Sequence, residues 1–404
     1  MEHSLKYGNQ DISFPVPGNT HFIRAYPPDK KPDKNIFLEK LSALINSEIH
    51  SAGIVVADKT RVCEYPKYLP WLIELLNRKG LNKNTIRFYI AYGIHPRQTG
   101  EESLNSYGDT FNKYEFVHHD CDDVKSMTYL GRTSRGTTVR VRKDIFEHDL
   151  LILFGPVSHH YFAGYGGGRK LLFPGLAKRE SIYLNHKLFI DFDNMKLQPG
   201  CRSGKLTDNP VAEDLYEIDK LMPDKIIISG IPDANGNICS LMTGTSYENF
   251  LTACKVYDNH YRKASEITYD NVIASAGGYP KDINFIQTHK SLHNAASFVK
   301  DGGNLFLLGE CRDGLGNNEF LDILKGSKKE ISNNLKKKYS GNGGTALSLL
   351  SKTKRINVYM VSGLESSICD TLNIKKIRVD DFSKKTGRFK GNTAIIENAS
   401  LVYC

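Results

Sequence analysis

Several common sequence signals are absent from this chain, and each absence argues against a class of protein. The eight cysteines are scattered and none form a Cys-x-x-Cys pair, which argues against a zinc ribbon and predicts reduced thiols of the cytosolic kind. Residues 1–19 lack the basic-then-apolar order of a signal peptide. No apolar run approaches the roughly 20 residues that cross a bilayer. We therefore expect a soluble cytoplasmic protein with no membrane partner.

A nucleic-acid-binding pattern is also missing, although the formal net charge is +9. The lysine clusters at 328–330 and 336–338 are not interleaved with aromatic residues that could stack on bases. The main interpretation of the charge is a solvated, lysine-rich surface, and the second is attraction for small anions such as carboxylates. We expect no nucleic-acid partner. A basic binding protein without catalysis stays as an alternative, which a steep salt dependence of DNA or RNA affinity would support.

The length and composition predict two globular domains. A chain of 404 residues exceeds one ordinary core, and 40% hydrophobic with 25% charged residues is typical of soluble proteins. Strand–helix–strand patterns over residues 53–91 and again from about residue 265 indicate an α/β fold with mixed or parallel sheets of doubly wound character. We place an N-terminal cofactor-binding catalytic domain at 1–260. We place a C-terminal α/β domain that contributes substrate contacts at 268–404, and allow for its last strand returning to the N-terminal domain.

Polar residues follow two of the predicted strands. The strand at 53–57 leads into Asp58 and Arg61, and the strand at 86–91 leads into His95. In open α/β sheets, ligands gather at the carboxyl ends of the strands. These side chains are therefore candidates for an active site, which we expect in the cleft between the two domains.

The glycine-rich segment at 158–170 is the densest cluster of residues with useful chemistry. Its backbone can form an anion-binding nest at three consecutive glycines, Gly166, Gly167 and Gly168. It is not a Walker A motif, because the Gly-Lys-Ser/Thr ending is missing, and its spacing is not that of a dinucleotide fingerprint. A flexible surface turn would explain the glycines alone. Potential acids, bases, nucleophiles or metal ligands accompany them, namely His160, Lys170 and His186.

Together these motifs resemble those of the lactate racemase family in order and spacing. The matching positions are Asp58 and Arg61, Gly93 and His95, His160, Lys170, His186, and Gly277-Gly278-Tyr279-Pro280 followed by Asp282, Gln287 and Lys290. They span most of the chain, and five motifs in register are specific where one would be weak. There are two departures. His95 is followed by Pro96-Arg97, where the family often has arginine directly, and Gly166 replaces a frequent serine. Neither removes a reacting group.

The resemblance implies a cofactor, the nickel pincer nucleotide, which is built on a pyridinium ring with two sulfur-bearing arms. It implies that Lys170 forms a thioamide with one arm and that His186 is the protein's ligand to nickel. Two sulfurs, one carbon and one imidazole suit square-planar Ni(II). Further cofactor contacts are implied for Asp58, Arg61, Gly166, Gly167 and Gly168. Proteins that synthesise the cofactor would then be partners.

The resemblance also implies the activity, which is racemisation or epimerisation of a small 2-hydroxy acid such as lactate. Proton-coupled hydride transfer would pass through a planar 2-keto acid, which can take hydride back on either face. His95 and His160 would be the two general bases, one for each face of the substrate. Arg61, Gln287 and Lys290 would bind the substrate. The last two are three residues apart, which places them on one face of a helix.

Alternatives remain within the family and outside it. A sugar-acid (aldonate) C2 epimerase is the alternative within the family. A zinc or iron hydrolase built on His160, His186 and a carboxylate is the alternative of another class. The run from His118 to Asp123 has the composition of a metal site, but no matching ligand set is evident elsewhere, and we expect it to be structural.

Overall fold

The structure, a computed structural model, describes residues 2–403 except 27, 29, 47, 195, 234, 264–266 and 318. Its strands are β1 (Glu2–Tyr7), β2 (Gln10–Pro15), β3 (Thr20–Ile23), β4 (Ala52–Ala57), β5 (Ile86–Ala91), β6 (Glu115–His118), β7 (Met127–Arg132), β8 (Thr138–Arg142), β9 (Leu150–Pro156), β10 (Ser158–His160), β11 (Gly164–Gly166), β12 (Ile190–Asp191), β13 (Lys196–Leu197), β14 (Ile226–Pro232), β15 (Ile238–Gly244), β16 (Tyr269–Ser275), β17 (Val299–Leu308), β18 (Asn357–Val361), β19 (Lys375–Lys376) and β20 (Thr393–Ile396). Its α-helices are α1 (Lys34–Ser42), α2 (Tyr65–Arg78), α3 (Gly100–Tyr107), α4 (Thr110–Lys113), α5 (Arg179–Lys187), α6 (Pro210–Asp219), α7 (Tyr247–Tyr261), α8 (Phe285–Ala296), α9 (Phe320–Ile323), α10 (Lys328–Lys337), α11 (Gly343–Arg355), α12 (Ser366–Thr371) and α13 (Val379–Thr386).

The chain forms two compact units, each built from more than one segment. The central unit comprises Pro27–Leu188 and Pro199–His260. The terminal unit comprises Met1–Tyr26, Phe189–Gln198 and Tyr261–Cys404. Each unit has its own six-stranded sheet, so each can be described by itself.

The sheet of the central unit has the strand order β15-β14-β9-β4-β5-β6. The five strands from β14 to β6 run parallel, and β15 pairs with β14 in the antiparallel sense. Every residue of β4 and β9 is buried, as expected for parallel strands that are covered on both faces. The neighbouring strands β9, β4 and β5 therefore end at the same edge of the sheet.

The sheet of the terminal unit is entirely parallel, in the order β19-β18-β17-β16-β20-β3. Alternate residues of its strands pack into two separate clusters. Val272 and Leu305 pack with α8, whereas Ile273 and Phe306 pack with the hairpin of β1 and β2. A parallel sheet covered on both faces is doubly wound. The predicted α/β class with mixed and parallel sheets is thus confirmed.

The first 26 residues lie in the terminal unit, whereas the sequence-based boundary assigned them to an N-terminal domain ending at residue 260. The reason is that β3 pairs in parallel with β20, and the hairpin of β1 and β2 packs on the same sheet. The last strand stays in this sheet and does not return to the central unit. These pairings join segments that are far apart in the chain, which local patterns do not encode.

Local patterns predict most elements, but their ends are shifted. The helical spacing over residues 68–78 predicts a helix, which is α2; it begins at residue 65, with a proline at position 66 in its first turn. The apolar pattern at 376–379 predicts a strand, but only residue 376 belongs to one, because 377–378 are irregular and α13 begins at Val379. The linker that we predict at 255–268 is helical up to Tyr261, and its residues 264–266 lie outside the described residues. None of the helices in the described part of the chain has the length and apolarity needed to span a membrane.

Candidate active site

Three neighbouring strands of the central unit place predicted site residues at one edge of its sheet. β4 leads into Asp58 and Arg61, β5 leads into His95, and β9 leads through β10 to His160. β4 is hydrogen-bonded to β9 on one side and to β5 on the other, all in parallel. The fold therefore gathers side chains that are up to about a hundred residues apart in sequence, at the edge where open α/β sheets bind ligands.

His95 is paired with the buried carboxylate of Asp58. The His95 Nδ1 atom lies 2.6 Å from Asp58 Oδ2, and Asp58 Oδ1 accepts hydrogen bonds from the amide and hydroxyl of Thr60. Burial alone would raise the pKa of Asp58, but His95, Arg61 and Thr60 together hold that pKa well below its usual value. The ionised carboxylate can only accept, so His95 Nδ1 carries a proton. The neutral ring is then unprotonated at Nε2, which makes that nitrogen the base.

Arg61 lies beside this pair, in the loop that follows β4. Its Nη1 atom donates hydrogen bonds to the carbonyl and hydroxyl oxygens of Thr60, at 3.1 and 2.9 Å. The resemblance assigned Asp58 and Arg61 to the cofactor. In the structure both oxygens of Asp58 are hydrogen-bonded to protein groups. Asp58 therefore orients His95, in addition to any contact that Asp58 makes with a ligand.

His160 ends β10, the first strand of a short antiparallel hairpin with β11. The amide of Ala163 donates to His160 Nδ1 over 3.2 Å. A nitrogen that accepts is unprotonated, so the neutral ring of His160 carries its proton on Nε2. The two histidines thus differ in this arrangement, because Nε2 of neutral His95 can accept a proton, whereas Nε2 of neutral His160 already carries one and donates only a hydrogen bond.

Two glycines that precede Lys170 are required by the backbone. Gly167 has φ of +81° and Gly168 has φ of +52°, a region that side chains rarely allow. A Cβ atom at Gly167 would lie 2.5 Å from the Pro156 carbonyl oxygen, and one at Gly168 would lie 2.6 Å from the Phe250 ring. Gly166 pairs with Ser158 at the open end of the hairpin. This tightly packed segment leads into a short 3₁₀ helix, Gly168–Leu171, which carries Lys170.

Lys170 is surrounded by protein and by positive charge, although part of its surface stays exposed. Burial, followed by the charges of Arg61 and Arg169, lowers its pKa well below the usual value for lysine. A lysine with such a lowered pKa has a larger fraction of neutral, nucleophilic amine at physiological pH.

His186 lies in the last turn of α5 and is also held neutral. Burial, then the charges of Lys170 and His95, lowers its pKa to about 3. The neighbouring Asn185 donates a hydrogen bond of 2.8 Å to the buried carboxylate of Asp214, which fixes the helix just before the imidazole. A neutral imidazole is the form that binds a metal.

The ring of Phe162 joins the three reactive groups that flank the loop. It makes edge-to-face contacts with His160 and His186, at centroid distances of 4.5 and 5.1 Å. The Lys170 amine lies 5.8 Å from the centre of the same ring. Phe162 is only 6% exposed, so its ring is the apolar wall on which these groups converge. Two imidazoles and an amine on one ring are the arrangement that the sequence motifs predicted.

Gln287 and Lys290 belong to the terminal unit, on α8. Asn284 caps this helix by accepting a hydrogen bond from the Gln287 amide. Lys290 Nζ donates to Gln287 Oε1 over 2.6 Å, so the two side chains do share a helix face, as their spacing predicts. Their roles in substrate binding remain a proposal.

The acidic run after β6 has structural contacts. His118 Nδ1 is 2.8 Å from the Tyr92 hydroxyl, and His119 Nε2 donates to the carbonyl of Ala177. Within the described residues, the one set of three His, Cys, Asp or Glu ligand atoms close enough for a metal is Asp120, Cys121 and Asp122. Asp122 is already paired with Arg179. No such set contains His160 and His186, so the hydrolase alternative gains no support.

Comparison with known proteins agrees with this geometry. The sequence model of the lactate racemase N-terminal domain matches residues 30–197, and that of the lactate racemase C-terminal domain matches residues 264–342. This chain belongs to the lactate racemase family. Relatives named lactate racemase occur in Thermoanaerobacterium thermosaccharolyticum and Lactiplantibacillus plantarum, each 31% identical over 277 and 293 residues. The matches cover 68% and 72% of this chain, and 63% and 67% of those relatives.

Two solved structures share the fold of this member of the lactate racemase family. The lactate racemase apoprotein of Thermoanaerobacterium thermosaccharolyticum superposes with a TM-score of 0.83 at 23% identity, covering 100% of this chain and 99% of that one. A protein of Thermotoga maritima superposes with a TM-score of 0.72 at 15% identity, over 94% of this chain and 100% of that one. At these identities the likeness supports the fold alone.

Sequence reasoning missed the residues that support the site from behind. The hydrogen bonds of Asp214 to Asn185 and the packing of Phe250 under Gly168 join residues that are 29 and 82 positions apart. No motif marks either contact. The sequence offers Phe162 only as one of several apolar residues that could line a pocket, because a lone aromatic carries no signal of what it touches.

Proposed function

We propose that the protein racemises or epimerises a small 2-hydroxy acid, with lactate as the first substrate to test because its relatives are named lactate racemases. One observation carries the proposal. A paired His95, a second histidine at 160, a lysine at 170 with a lowered pKa and a neutral histidine at 186 converge at one edge of the central sheet. Each of these positions matches a family motif.

The residues present fit the nickel pincer nucleotide that the family resemblance implies. Covalent attachment through a thioamide needs a neutral amine, and nickel ligation needs a neutral imidazole. The lowered pKa of Lys170 favours the neutral amine, and the pKa of about 3 keeps His186 neutral. Lys170 would hold the cofactor covalently, and His186 would be the protein's ligand to nickel. When bound, the cofactor would supply the hydride acceptor.

The chain's own part in the reaction is proton transfer at the substrate hydroxyl. His95 Nε2 takes the hydroxyl proton, because Asp58 fixes the opposite nitrogen as the protonated one and stabilises the imidazolium that results. His160 would return a proton from Nε2 to the oxygen of the planar 2-keto acid from the other face. To do so it must be an imidazolium, so Nδ1 must gain a proton and give up its hydrogen bond from the Ala163 amide. The reverse direction exchanges these roles, because an imidazole can accept a proton and an imidazolium can donate one.

Positive charge would bind the substrate carboxylate. Arg61 is held beside the His95–Asp58 pair by its bonds to Thr60, and a guanidinium grips a carboxylate with two donors. Gln287 and Lys290 are proposed to contribute further contacts. Phe162 supplies an apolar wall that would exclude water from the reacting carbon. A sugar-acid epimerase of the same family would use the same groups with a longer substrate.

The test is racemisation by protein that has been produced together with cofactor-synthesis proteins. Single enantiomers of lactate, longer hydroxy acids and aldonates are each incubated with it, and chiral chromatography follows the opposite stereoisomer. Deuterium at C2 that is retained at C2 in the product supports hydride transfer. Lys170→Ala and His186→Ala should lose both bound nickel and activity. Full activity in metal-free Lys170→Ala protein would end the proposal, and zinc without a visible chromophore would favour a hydrolase.

A further inference from the structure

We propose that Asp258 is a positioning residue, which fixes the hairpin that carries His160. The proposal rests on the proposed function, in which His160 transfers a proton. Asp258 belongs to α7, almost a hundred residues after the hairpin, and no sequence motif includes it. Its carboxylate is nevertheless the point at which both strands of the hairpin are tied to the central unit.

The two strands of the hairpin reach the same carboxylate. His159 on β10 and Tyr165 on β11 are directly opposite each other in the antiparallel register. His159 Nε2 donates to Asp258 Oδ1 over 2.8 Å, and the Tyr165 hydroxyl donates to Asp258 Oδ2 over 2.6 Å. Each carboxylate oxygen thus holds one strand. Hydrogen bonds to an ionised acceptor are short and roughly twice as strong as neutral ones.

This anchor and the reacting ring lie on opposite faces of the hairpin. Successive side chains of a strand point to opposite sides, so when His159 turns to α7, His160 turns to the other face, where it meets Phe162. The side chain of His159 is only 2% exposed and also packs edge-on against Tyr257. The hydrogen bond to Asp258 and the packing against Tyr257 together hold His159 in place. They therefore fix the position of β10 and the direction in which the side chain of His160 points.

The same helix supports the loop that follows. Phe250 lies against Gly168, where even a Cβ atom would not fit. The guanidinium of Arg169 lies over the rings of Tyr247 and Phe250, at 5.1 and 5.0 Å from their centres. A cation over an aromatic ring is attracted by the negative face of the ring, so these contacts stabilise the loop against α7. One face of α7 therefore makes both contacts. The C-terminal end of the helix touches the hairpin, and the N-terminal end of the helix touches the loop before Lys170.

The experiment compares Asp258→Ala, Asp258→Asn and Tyr165→Phe with a matched control, Glu217→Gln. Glu217 is also a helix carboxylate of the central unit and accepts two hydrogen bonds from Ser134, but it does not touch the hairpin. Each variant is made with cofactor-synthesis proteins present. For each we measure kcat, KM, nickel per protein, the melting temperature, and hydrogen exchange of the peptide that covers residues 158–170.

Asp258→Ala should lower kcat by about 10- to 100-fold, the usual cost of removing a group that orients a reacting side chain, while KM and nickel content stay near wild type. Exchange of the 158–170 peptide should become faster. Asp258→Asn keeps one accepting oxygen and should recover part of the loss. Tyr165→Phe removes one hydroxyl and should cost about two- to tenfold in kcat. It keeps the proposal testable if Asp258→Ala does not fold. Glu217→Gln should change neither kcat nor the hydrogen exchange of the 158–170 peptide.

Three results would overturn the proposal. The first is an unchanged kcat in folded Asp258→Ala or Tyr165→Phe protein. The second is unchanged exchange over residues 158–170. The third is a loss of nickel that accounts for the whole loss of kcat, since the anchor would then serve the cofactor and not His160. If wild-type protein converts no hydroxy acid, the proposed function fails, whereas the exchange measurement still tests the anchor because it needs no turnover.

Discussion

Replacing Asp58 by asparagine changes which nitrogen of His95 is the base, and this makes the substitution the sharpest test of the proton-transfer scheme. In the native structure the buried carboxylate lies 2.6 Å from His95 Nδ1 and keeps the proton there. An asparagine amide can donate to Nδ1, which then becomes the acceptor, so the neutral ring carries its proton on Nε2. The nitrogen that should receive the hydroxyl proton is then blocked. The carboxylate charge that stabilises the imidazolium is lost as well.

The magnitude follows from what a general base contributes. Positioned acid–base groups contribute about 10²- to 10⁴-fold to a rate, which is about 2.7 to 5.4 kcal/mol of transition-state stabilisation. We therefore expect Asp58→Asn to lower kcat/KM for racemisation by about two to four orders of magnitude, with nickel content unchanged. The assay follows optical rotation from one enantiomer of lactate across pH 5 to 9. Thr60→Val is the comparison, because it removes one hydrogen bond to Asp58 and one from Arg61 but leaves the carboxylate facing His95, and it should lower kcat by less than about tenfold. A kcat/KM within about threefold of wild type in Asp58→Asn would refute the role assigned to His95.

Three further predictions concern stability. Gly168→Ala should destabilise the central unit by about 2 kcal/mol, because its Cβ atom would meet the Phe250 ring at 2.6 Å and because alanine disfavours φ of +52°. Gly302→Ala is the control for the backbone cost alone, since Gly302 has φ of +77° with open space around it, and should lower the free energy of unfolding by only about 1 kcal/mol. Asp214→Ala should lower the free energy of unfolding of the central unit by about 3 kcal/mol in urea titration, because three buried side-chain donors lose their acceptor; a loss below about 1 kcal/mol would mean that water replaces the carboxylate. The lowered pKa of Asp58 stabilises the folded state above the unfolded value of about 3.9 and loses that effect as the pH falls below it, so the melting temperature of wild type should fall more between pH 6 and pH 3 than that of Asp58→Asn.

The parts of the fold that sequence reasoning found are those with an unbroken local signal. β4 and β5 are short apolar runs that end in Asp58 and in the loop to His95, and an all-buried parallel strand needs such a run. Local patterns do not predict the helix α11, because it begins with two glycines after Asn342, which itself has φ of +67°, a start that resembles a loop. The first 26 residues were placed on the other side of the boundary because the strand that pairs with β3, β20, is some 370 residues away.

The candidate site likewise contains residues that the sequence could predict and residues that it could not. Lys170 and the histidines at 160 and 186 could be selected because their types and spacing match a family pattern, and the structure brings them to one aromatic ring. Their supports could not be selected. The carboxylate of Asp258 reaches the hairpin across nearly a hundred residues of chain, and an aspartate in the middle of a helix has the same local pattern whether it faces solvent or a histidine. A contact of this kind follows from packing alone.

The different surroundings of the two proposed bases have a consequence for a reversible reaction. In the arrangement described, His95 can accept a proton at Nε2, whereas the neutral ring of His160 already carries its proton there. A turnover therefore needs one additional proton, which is held by whichever histidine is an imidazolium and moves to the other in each conversion. Enantiomers have equal free energies, so kcat/KM must be the same in both directions, yet kcat and KM need not be equal separately. Because Asp58 stabilises the imidazolium form of His95 while the Ala163 amide opposes a proton on Nδ1 of His160, this proton favours His95 in the free enzyme. The two directions therefore begin from differently populated forms of the enzyme, and kcat and KM should differ between them in the same proportion.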